Sequence, residues 1–155
     1  MKRSGAMVRS PGERGSTPAP AIRRSHFTET TRVMLGQRSG SIVNVSSTYG
    51  HAGTPNASVY AASKHAVEGL TTSAALEVAG SGVRVNAVAP GPTETGMLNR
   101  FTGSAERKAD LISTVPLGRV GEPDEIANAI LFLCSDRASF ISGHVLSVDG
   151  GKSAG

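Results

Sequence analysis

The sequence predicts an α/β fold built on a parallel sheet. Three short apolar runs, at residues 41–45, 83–88 and 144–149, are rich in β-branched side chains and are typical of buried strands. Longer segments with helical character separate these runs, and Gly or Pro punctuates the junctions. Because strands that alternate with helices pair in parallel, we expect one sheet with helices packed against it.

A polar loop and a long helix follow the first predicted strand. The loop covers residues 46–58, and the helix runs from about residue 59 to residue 78, where Gly80 and Gly82 mark its end. Gly69 inside the helix costs stability relative to alanine, which predicts a close packing contact at this position. We expect the helix to bury one apolar stripe, formed by Val59, Ala62, Ala66, Leu70 and Ala74.

The remaining elements continue the alternation. The second strand is stopped by the Pro-Gly-Pro sequence at residues 90–92, and residues 105–114 predict a short helix. A further helix begins at Pro123, a favoured first-turn residue, and runs to Cys134; acidic residues after the proline suit its N-terminal dipole. Cys134 is the only cysteine of the chain and lies in an apolar run, so we expect a reduced packing residue.

The charge of the chain is uneven. Residues 1–38 hold eight Lys/Arg and two Asp/Glu, whereas residues 39–155 hold eight and ten. We therefore predict a basic, Pro/Gly/Ser-rich, disordered leader at 1–38, in which residues 26–38 could hold a short helix, and a folded domain at 39–155. The domain itself is not basic, so we expect no nucleic-acid partner.

No apolar stretch reaches the length of a membrane span, and we expect a cytoplasmic location without membrane association.

Tyr60 and Lys64 are the first candidates for chemistry. They are four residues apart on the predicted long helix, so the phenol and the ammonium would project from one face. A nearby cation favours the phenolate, which makes Tyr60 a candidate proton donor or acceptor. Ser47, thirteen residues earlier, could hydrogen-bond the same substrate oxygen. A Ser/Tyr/Lys set of this kind suits carbonyl reduction or alcohol oxidation, although the Tyr-x-x-x-Lys spacing alone also arises by chance on exposed helices.

The order of the elements strengthens this interpretation. Ser47, Tyr60 and residues 90–95 all follow the carboxyl ends of predicted strands, and open α/β sheets bind their ligands at that edge. The four histidines show no metal-ligand spacing, so we expect no metal site and assign them to the surface or to packing.

Five sequence blocks carry a family resemblance. They occur in one order at residues 42–47 (Ile-Val-Asn-Val-Ser-Ser), 60–64 (Tyr-Ala-Ala-Ser-Lys), 85–91 (Val-Asn-Ala-Val-Ala-Pro-Gly) with Thr95, 116–119 (Pro-Leu-Gly-Arg) with 122–126 (Glu-Pro-Asp-Glu-Ile), and 142–151 (Ser-Gly-His-Val-Leu-Ser-Val-Asp-Gly-Gly). With these blocks the chain resembles the C-terminal half of a short-chain dehydrogenase/reductase. The resemblance implies part of a Rossmann-like, doubly wound parallel α/β sheet and NAD(P)-dependent interconversion of carbonyl and alcohol groups on a small-molecule substrate.

The resemblance also implies roles for matching residues. Tyr60 would be the general acid/base, Lys64 would assist it and hold the nicotinamide ribose, and Ser47 would orient the substrate carbonyl, while Ser46 would be structural. Residues 94–115 would form the variable loop that closes over the substrate. The implied cofactor-binding residues are Tyr60, Lys64, Pro90, Gly91, Thr93 and Thr95.

One part of the family pattern has no counterpart. A full member begins with a strand, a glycine-rich turn and a helix that binds the cofactor pyrophosphate, and no such unit precedes Gly40. NAD and NADP therefore both stay open. We expect a truncated member of the family that associates into a homo-oligomer and that could be inactive alone. The alternative is a non-enzymatic remnant of the family that acts through oligomer or partner contacts.

Overall fold

The computed structural model describes residues 26–154, with side chains from residue 29 onward. The disorder predicted for residues 1–25 lies outside the described residues. Within the basic leader, His26–Gln37 form helix α1, in agreement with the short helix considered for residues 26–38. The boundary between leader and domain at residue 38 stays a prediction.

Three parallel strands form the sheet, as the sequence predicts. They are β1 (Gly40–Val45), β2 (Val83–Pro90) and β3 (Val145–Val148), in the order β1-β2-β3 with β2 in the centre. Ile42 is aligned with Val85 across the first pair, and Val88 with Leu146 across the second. β2 extends two residues beyond the prediction because Pro90 is tolerated as its last residue.

Helices cover both faces of this sheet and give three layers. α2 (Ser58–Glu77) lies on the same face as α1, where Ala74, Ala75 and Val78 pack with Val85. α5 (Pro123–Cys134) covers the opposite face, where Leu133 packs with Val88. Because helices cover both of its faces, β2 is buried along nearly its whole length. The prediction of a parallel α/β sheet is confirmed.

The orientation of α2 differs from the sequence prediction. Its buried residues are Ala61, Thr71, Ala74 and Ala75, whereas most of the predicted stripe faces outward: Val59 is 84% exposed and Leu70 is 47% exposed. Gly69 has open space around its Cα, so the predicted close contact does not occur within the described residues. The cause is composition, since small apolar side chains occur on both faces of this helix and periodicity cannot rank them.

Among the described helices, α2 included, none combines the length and apolarity that crossing a bilayer requires.

Two short helices connect β2 to α5. α4 (Ala105–Ser113) was predicted, whereas α3 (Gly96–Thr102) was not. Thr95 caps α3 by accepting the Leu98 N–H at 3.3 Å, and Gly103 ends it in the left-handed region at a φ of 68°. A helix of this length gives too few periods for an apolar pattern to be visible in the sequence.

Polar contacts hold the two ends of α5. At its C-terminus, the Arg84 guanidinium on β2 donates to the carbonyl oxygens of Leu133 at 2.8 Å and Ser135 at 3.1 Å. At its N-terminus, the Glu125 carboxylate accepts the Glu122 N–H at 2.7 Å. Cys134, at the end of the helix, is a free thiol but is exposed, so its predicted packing role is wrong.

The N-terminal contacts of α5 make a testable contribution to acid sensitivity. Two hydrogen bonds from the Arg119 side chain, and one from the Glu122 N–H, lower the pKa of Glu125 from 4.5 to about 2. A carboxyl whose pKa is lower in the folded state stabilises the fold above its unfolded pKa, and this contribution is lost as the pH falls through the folded pKa.

We therefore expect the stability of Glu125→Gln to fall less than that of the wild type between about pH 4.5 and about pH 2. Urea unfolding at a series of pH values measures the difference. Glu77→Gln removes an exposed carboxylate that has no ion pair among the described residues, and it should keep the wild-type slope. An unchanged slope in Glu125→Gln would contradict the assignment.

Candidate active site

A cavity of about 960 Å³ opens at the carboxyl ends of β1 and β2. Every residue that the sequence analysis selected for chemistry or cofactor binding lines it, namely Ser47, Tyr60, Lys64, Pro90, Gly91, Thr93 and Thr95. These residues come from three separate segments of the chain. The parallel strand register brings them together, because β1 and β2 end side by side.

Ser47 follows the last residues of β1. The Ser46 N–H donates to the Val88 carbonyl at 2.8 Å, which continues the β1–β2 ladder up to the serine pair. Ser47 then begins a 3-10 turn over Thr48–Gly50, in which its hydroxyl accepts the Tyr49 N–H at 3.3 Å. Its side chain lines the cavity although the residue is only 8% exposed. The Ser47 hydroxyl is therefore fixed in direction at the wall of the cavity.

Tyr60 and Lys64 lie one turn apart near the start of α2. The Lys64 Nζ is 5.6 Å from the centroid of the Tyr60 ring and donates to the Val45 carbonyl oxygen at 3.0 Å. The Tyr49 ring packs edge-on against Tyr60, with centroids 6.4 Å apart. Tyr60 is 41% exposed, and its hydroxyl has no hydrogen-bond partner among the described residues. The phenol is therefore held by its ring and leaves its oxygen open to the cavity.

A polar network lies beneath the loop that carries Ser47. Glu68 on α2 accepts hydrogen bonds from the Ser46 hydroxyl at 2.8 Å and from the His51 ring nitrogen at 3.1 Å. A Cβ at Gly50 would collide with the Glu68 carboxylate and the Ser46 hydroxyl, so a larger residue there would displace this network. The Ser46 hydroxyl is thus hydrogen-bonded within the fold, its structural role stays a prediction, and Glu68 ties the loop to α2.

The segment that follows β2 is fixed to its neighbours. Gly91 donates its N–H to the Val148 carbonyl at 3.0 Å, and a Cβ at Gly91 would lie 2.7 Å from the Asp149 Cα. Thr93 pairs with Gly121 in an isolated parallel bridge. The Thr95 hydroxyl caps α3 and also donates to the Thr93 carbonyl at 3.3 Å. The Thr95 side chain is therefore already engaged in holding α3 at the cavity.

α3 and α4 form the outer wall of the cavity. Met97 and Phe101 on α3 and Leu111 on α4 line it, and the two α3 side chains are largely exposed. Lys108 on α4 pairs with Glu94 at 2.6 Å, and this hydrogen bond lowers the pKa of Glu94. The ion pair connects α4 to the residues that follow β2. Both of its members lie in residues 94–115, the segment that the resemblance assigns to the substrate.

Some lining residues were not selected from the sequence. Tyr49 lies two residues after Ser47 in a loop without periodicity, and Lys152 lies near the C-terminus. The Tyr49 position could have been found from its nearness to Ser47, but no sequence signal indicates that the Lys152 turn reaches the cavity. Among the described residues, no group of three or more His, Cys, Asp or Glu side chains is arranged to hold a metal ion.

The fold and the cavity define a class of protein. A parallel sheet covered by helices on both faces, with Ser, Tyr and Lys at the carboxyl ends of its strands, is the arrangement of a Rossmann-like α/β oxidoreductase. The family model described as enoyl-(acyl carrier protein) reductase matches residues 25–153. The chain belongs to the short-chain dehydrogenase/reductase family.

Curated relatives support this assignment. The 3-oxoacyl-acyl-carrier-protein reductase FabG of Thermotoga maritima is 51% identical over 118 residues, which cover 76% of this chain and 47% of the relative. A 3alpha-hydroxysteroid dehydrogenase of Mediterraneibacter gnavus is 50% identical over 119 residues, with 77% and 47% covered. The chain spans about half the length of the curated relatives that it matches.

Solved structures have the same fold. The gluconate 5-dehydrogenase of Burkholderia cenocepacia, in complex with NADP and tartrate, superposes with a TM-score of 0.78 at 35% identity, over 83% of this chain and 50% of that one. ElxO with NADP bound gives a TM-score of 0.77 at 38% identity, over 83% and 52%. The similarity therefore extends from the sequence blocks to the course of the backbone.

The network around Glu68 can be tested by Glu68→Ala. Removal of a largely buried acceptor leaves the Ser46 hydroxyl without its partner, and we expect a loss of about 1–3 kcal/mol in the free energy of unfolding. Because Glu68 holds the loop, hydrogen exchange at the Tyr49 and Gly50 amides should also become faster. Urea unfolding and native-state exchange measure the two effects.

Glu77→Ala is the matched control, since Glu77 is an exposed residue of the same helix. It should change stability by no more than about 0.5 kcal/mol. Equal losses in the two variants, or unchanged exchange in Glu68→Ala, would show that Glu68 does not anchor the loop.

Proposed function

We propose that the chain carries the proton-transfer and substrate part of an NAD(P)-dependent oxidoreductase that interconverts a carbonyl and an alcohol. The observation that carries this proposal is the single cavity shared by Ser47, Tyr60 and Lys64 at the carboxyl ends of the strands. Residues far apart in sequence converge there with the chemistry that such a reaction needs. Family membership adds support, because relatives of this chain are named as reductases and dehydrogenases.

In the proposed mechanism Tyr60 exchanges the proton with the substrate oxygen. Its hydroxyl is open to the cavity, and general acid/base catalysis requires a direct hydrogen bond of this kind. Ser47 donates a second hydrogen bond to the same oxygen and orients the carbonyl. A nicotinamide bound beside them would supply or accept the hydride.

Lys64 has the donors for two tasks in this mechanism. An ammonium group has three N–H donors, and one of them goes to the Val45 carbonyl. The remaining two can be directed to the nicotinamide ribose and towards the phenolic oxygen of Tyr60. Its Nζ lies beside the Tyr60 ring, 5.6 Å from the ring centroid.

Pro90, Gly91, Thr93 and Thr95 are proposed to bind the nicotinamide end of the cofactor. The residues fit a carboxamide, because the Thr93 N–H donates to no acceptor among the described residues and the segment lines the cavity. ElxO and the gluconate 5-dehydrogenase of Burkholderia cenocepacia are described with NADP. These structures support NAD or NADP as the cofactor class and leave the preference between them open.

The proton-transfer role is tested by Tyr60→Phe. The variant loses the phenol that lies beside Lys64, and we expect carbonyl-dependent oxidation of NADPH or NADH to fall by at least about 100-fold. Tyr49→Phe is the matched control, since it removes a hydroxyl from the same cavity and keeps the ring that packs on Tyr60. Circular dichroism should show an unchanged fold in both variants. Retained turnover in Tyr60→Phe would contradict the assigned role.

Calorimetric titration with NADPH and NADH distinguishes an active enzyme from a non-enzymatic remnant of the family, because it measures cofactor binding directly. Saturable binding that weakens in Lys64→Met supports an active cofactor site. Absence of binding to the whole chain would defeat intrinsic activity and favour the non-enzymatic remnant.

A specific observation favours association of the chain with a second copy. The outward face of α2 carries Val59, Ala62, Ala66 and Leu70, and Gly69 leaves open space for a closely packed partner. Apolar side chains that are exposed together on one helix face are a common site of protein contact. We propose that this face forms a homo-oligomer contact, whether or not the chain is catalytically active.

The α2 contact is tested by Leu70→Glu, which places a charge in the middle of the exposed apolar face. We expect sedimentation equilibrium to show dissociation of the wild-type oligomer in this variant, because an unpaired charge is costly to bury. Leu131→Glu on α5 is the matched control, since Leu131 is an exposed leucine outside this face. A monomeric wild type, or equal dissociation in both variants, would rule out the α2 contact.

A further inference from the structure

The charged side chains that line the cavity are all positive. Its lining contains two charged side chains, Lys64 and Lys152, and contains no Asp, Glu, Arg or His among the described residues. Much of the remaining wall is apolar, with Val59, Met97, Leu98, Phe101, Leu111 and Ile130 among its members. Since apolar walls screen charge poorly, the two ammonium groups give this lining a positive character.

Only one of the two ammonium groups is free for a substrate. Lys64 is bound to the Val45 carbonyl and lies beside the Tyr60 ring, where the proposed mechanism uses it. The Lys152 Nζ donates to the Thr114 hydroxyl and has no carboxylate within 4.0 Å among the described residues. Two of its three N–H donors are therefore unassigned.

The backbone holds Lys152 at the cavity. The Asp149 carboxylate accepts the N–H groups of Gly151 at 3.0 Å and Ser153 at 2.8 Å, which closes a turn around the lysine. Burial raises the pKa of Asp149, but the hydrogen bonds from Ser153 and Gly151, together with the charge of His51, outweigh it and lower the pKa overall. Asp149 therefore stabilises the turn through its backbone hydrogen bonds and forms no ion pair with the Lys152 ammonium within 4.0 Å.

We propose that Lys152 binds a carboxylate on the substrate, so that the site acts on carbonyl or alcohol compounds that carry a carboxylate and an apolar body. Each unassigned N–H donor can form a charge-assisted hydrogen bond with a carboxylate oxygen, and the apolar wall accommodates the hydrocarbon part. This specificity rests on the proposed function, since Tyr60 and Ser47 define which end of the ligand reacts. Lys152 is a specificity residue and takes no part in proton transfer.

A carboxylate and its uncharged methyl ester, which share the same carbon chain, test the proposal. Binding of 4-oxononanoate and of its methyl ester to the whole chain is measured by calorimetry, which needs no turnover. We expect the carboxylate to bind at least about tenfold more tightly than the ester, with an advantage that shrinks as the salt concentration rises. Lys152→Met should abolish this advantage and leave the ester unchanged, whereas Lys152→Arg should retain most of it.

Arg107→Met is the matched control, because Arg107 is an exposed cation of α4 that does not line the cavity. It should keep the preference for the carboxylate. Equal affinity for the two ligands, no binding of either, or the same loss in Arg107→Met and Lys152→Met would overturn the proposal. Failure of the proposed function would look different: NADPH binding and turnover would be absent while the carboxylate preference and its dependence on Lys152 persisted.

Discussion

The parallel register between β1 and β2 is the constraint on which the site depends. Val45 is aligned with Val88, and the next ladder bond runs from the Ser46 N–H to the Val88 carbonyl. The register therefore determines that the serine loop leaves β1 beside the Pro90–Thr95 segment that leaves β2. A shift by one residue would exchange the two faces of β1 and remove Ile42 from the core, so burial on both faces fixes the alignment. Packing energy in the centre of the molecule thus determines the positions of polar groups at its edge.

α2 is joined to this edge by polar contacts as well as by its apolar face. Asn44 on β1 donates to the Thr71 hydroxyl at 2.9 Å, and Lys64 donates to the Val45 carbonyl at 3.0 Å. The first contact lies in the body of the sheet and the second at its end, so together they fix both the rotation and the axial position of α2. These two restraints also determine the position of Tyr60, because it lies one helical turn before Lys64. The phenol is positioned without a hydrogen bond of its own, which leaves its oxygen for a substrate.

The sequence predicts the strands and the polar ends of the elements well, but it predicts burial poorly where both sides of a helix are apolar. The strands are clear because β-branched runs end in Gly or Pro, and α5 is clear because Pro123 is followed by acidic residues. α2 is ambiguous because alanine and valine occur around its whole circumference, so Thr71 is buried while Val59 is exposed. Cys134 is exposed for a similar reason, since a run of apolar residues does not indicate which member faces the core. In the cavity, Ser47, Tyr60 and Lys64 could be found from spacing and order. Lys152 could not be found, because its place depends on the turn that Asp149 closes.

The groups proposed for proton transfer are held entirely by contacts within the described residues. β1 pairs with β2 alone in residues 26–154, so its other edge has no strand partner there. Ser47, Lys64 and the Pro90–Thr95 segment nevertheless receive their restraints from the β1–β2 side, through Val45, Val88 and Val148. Among the described residues, none of these restraints runs through the other edge of β1. The groups proposed for proton transfer are therefore held from the β2 side of β1, and a ligand that reaches only the cavity should report on them without a dinucleotide.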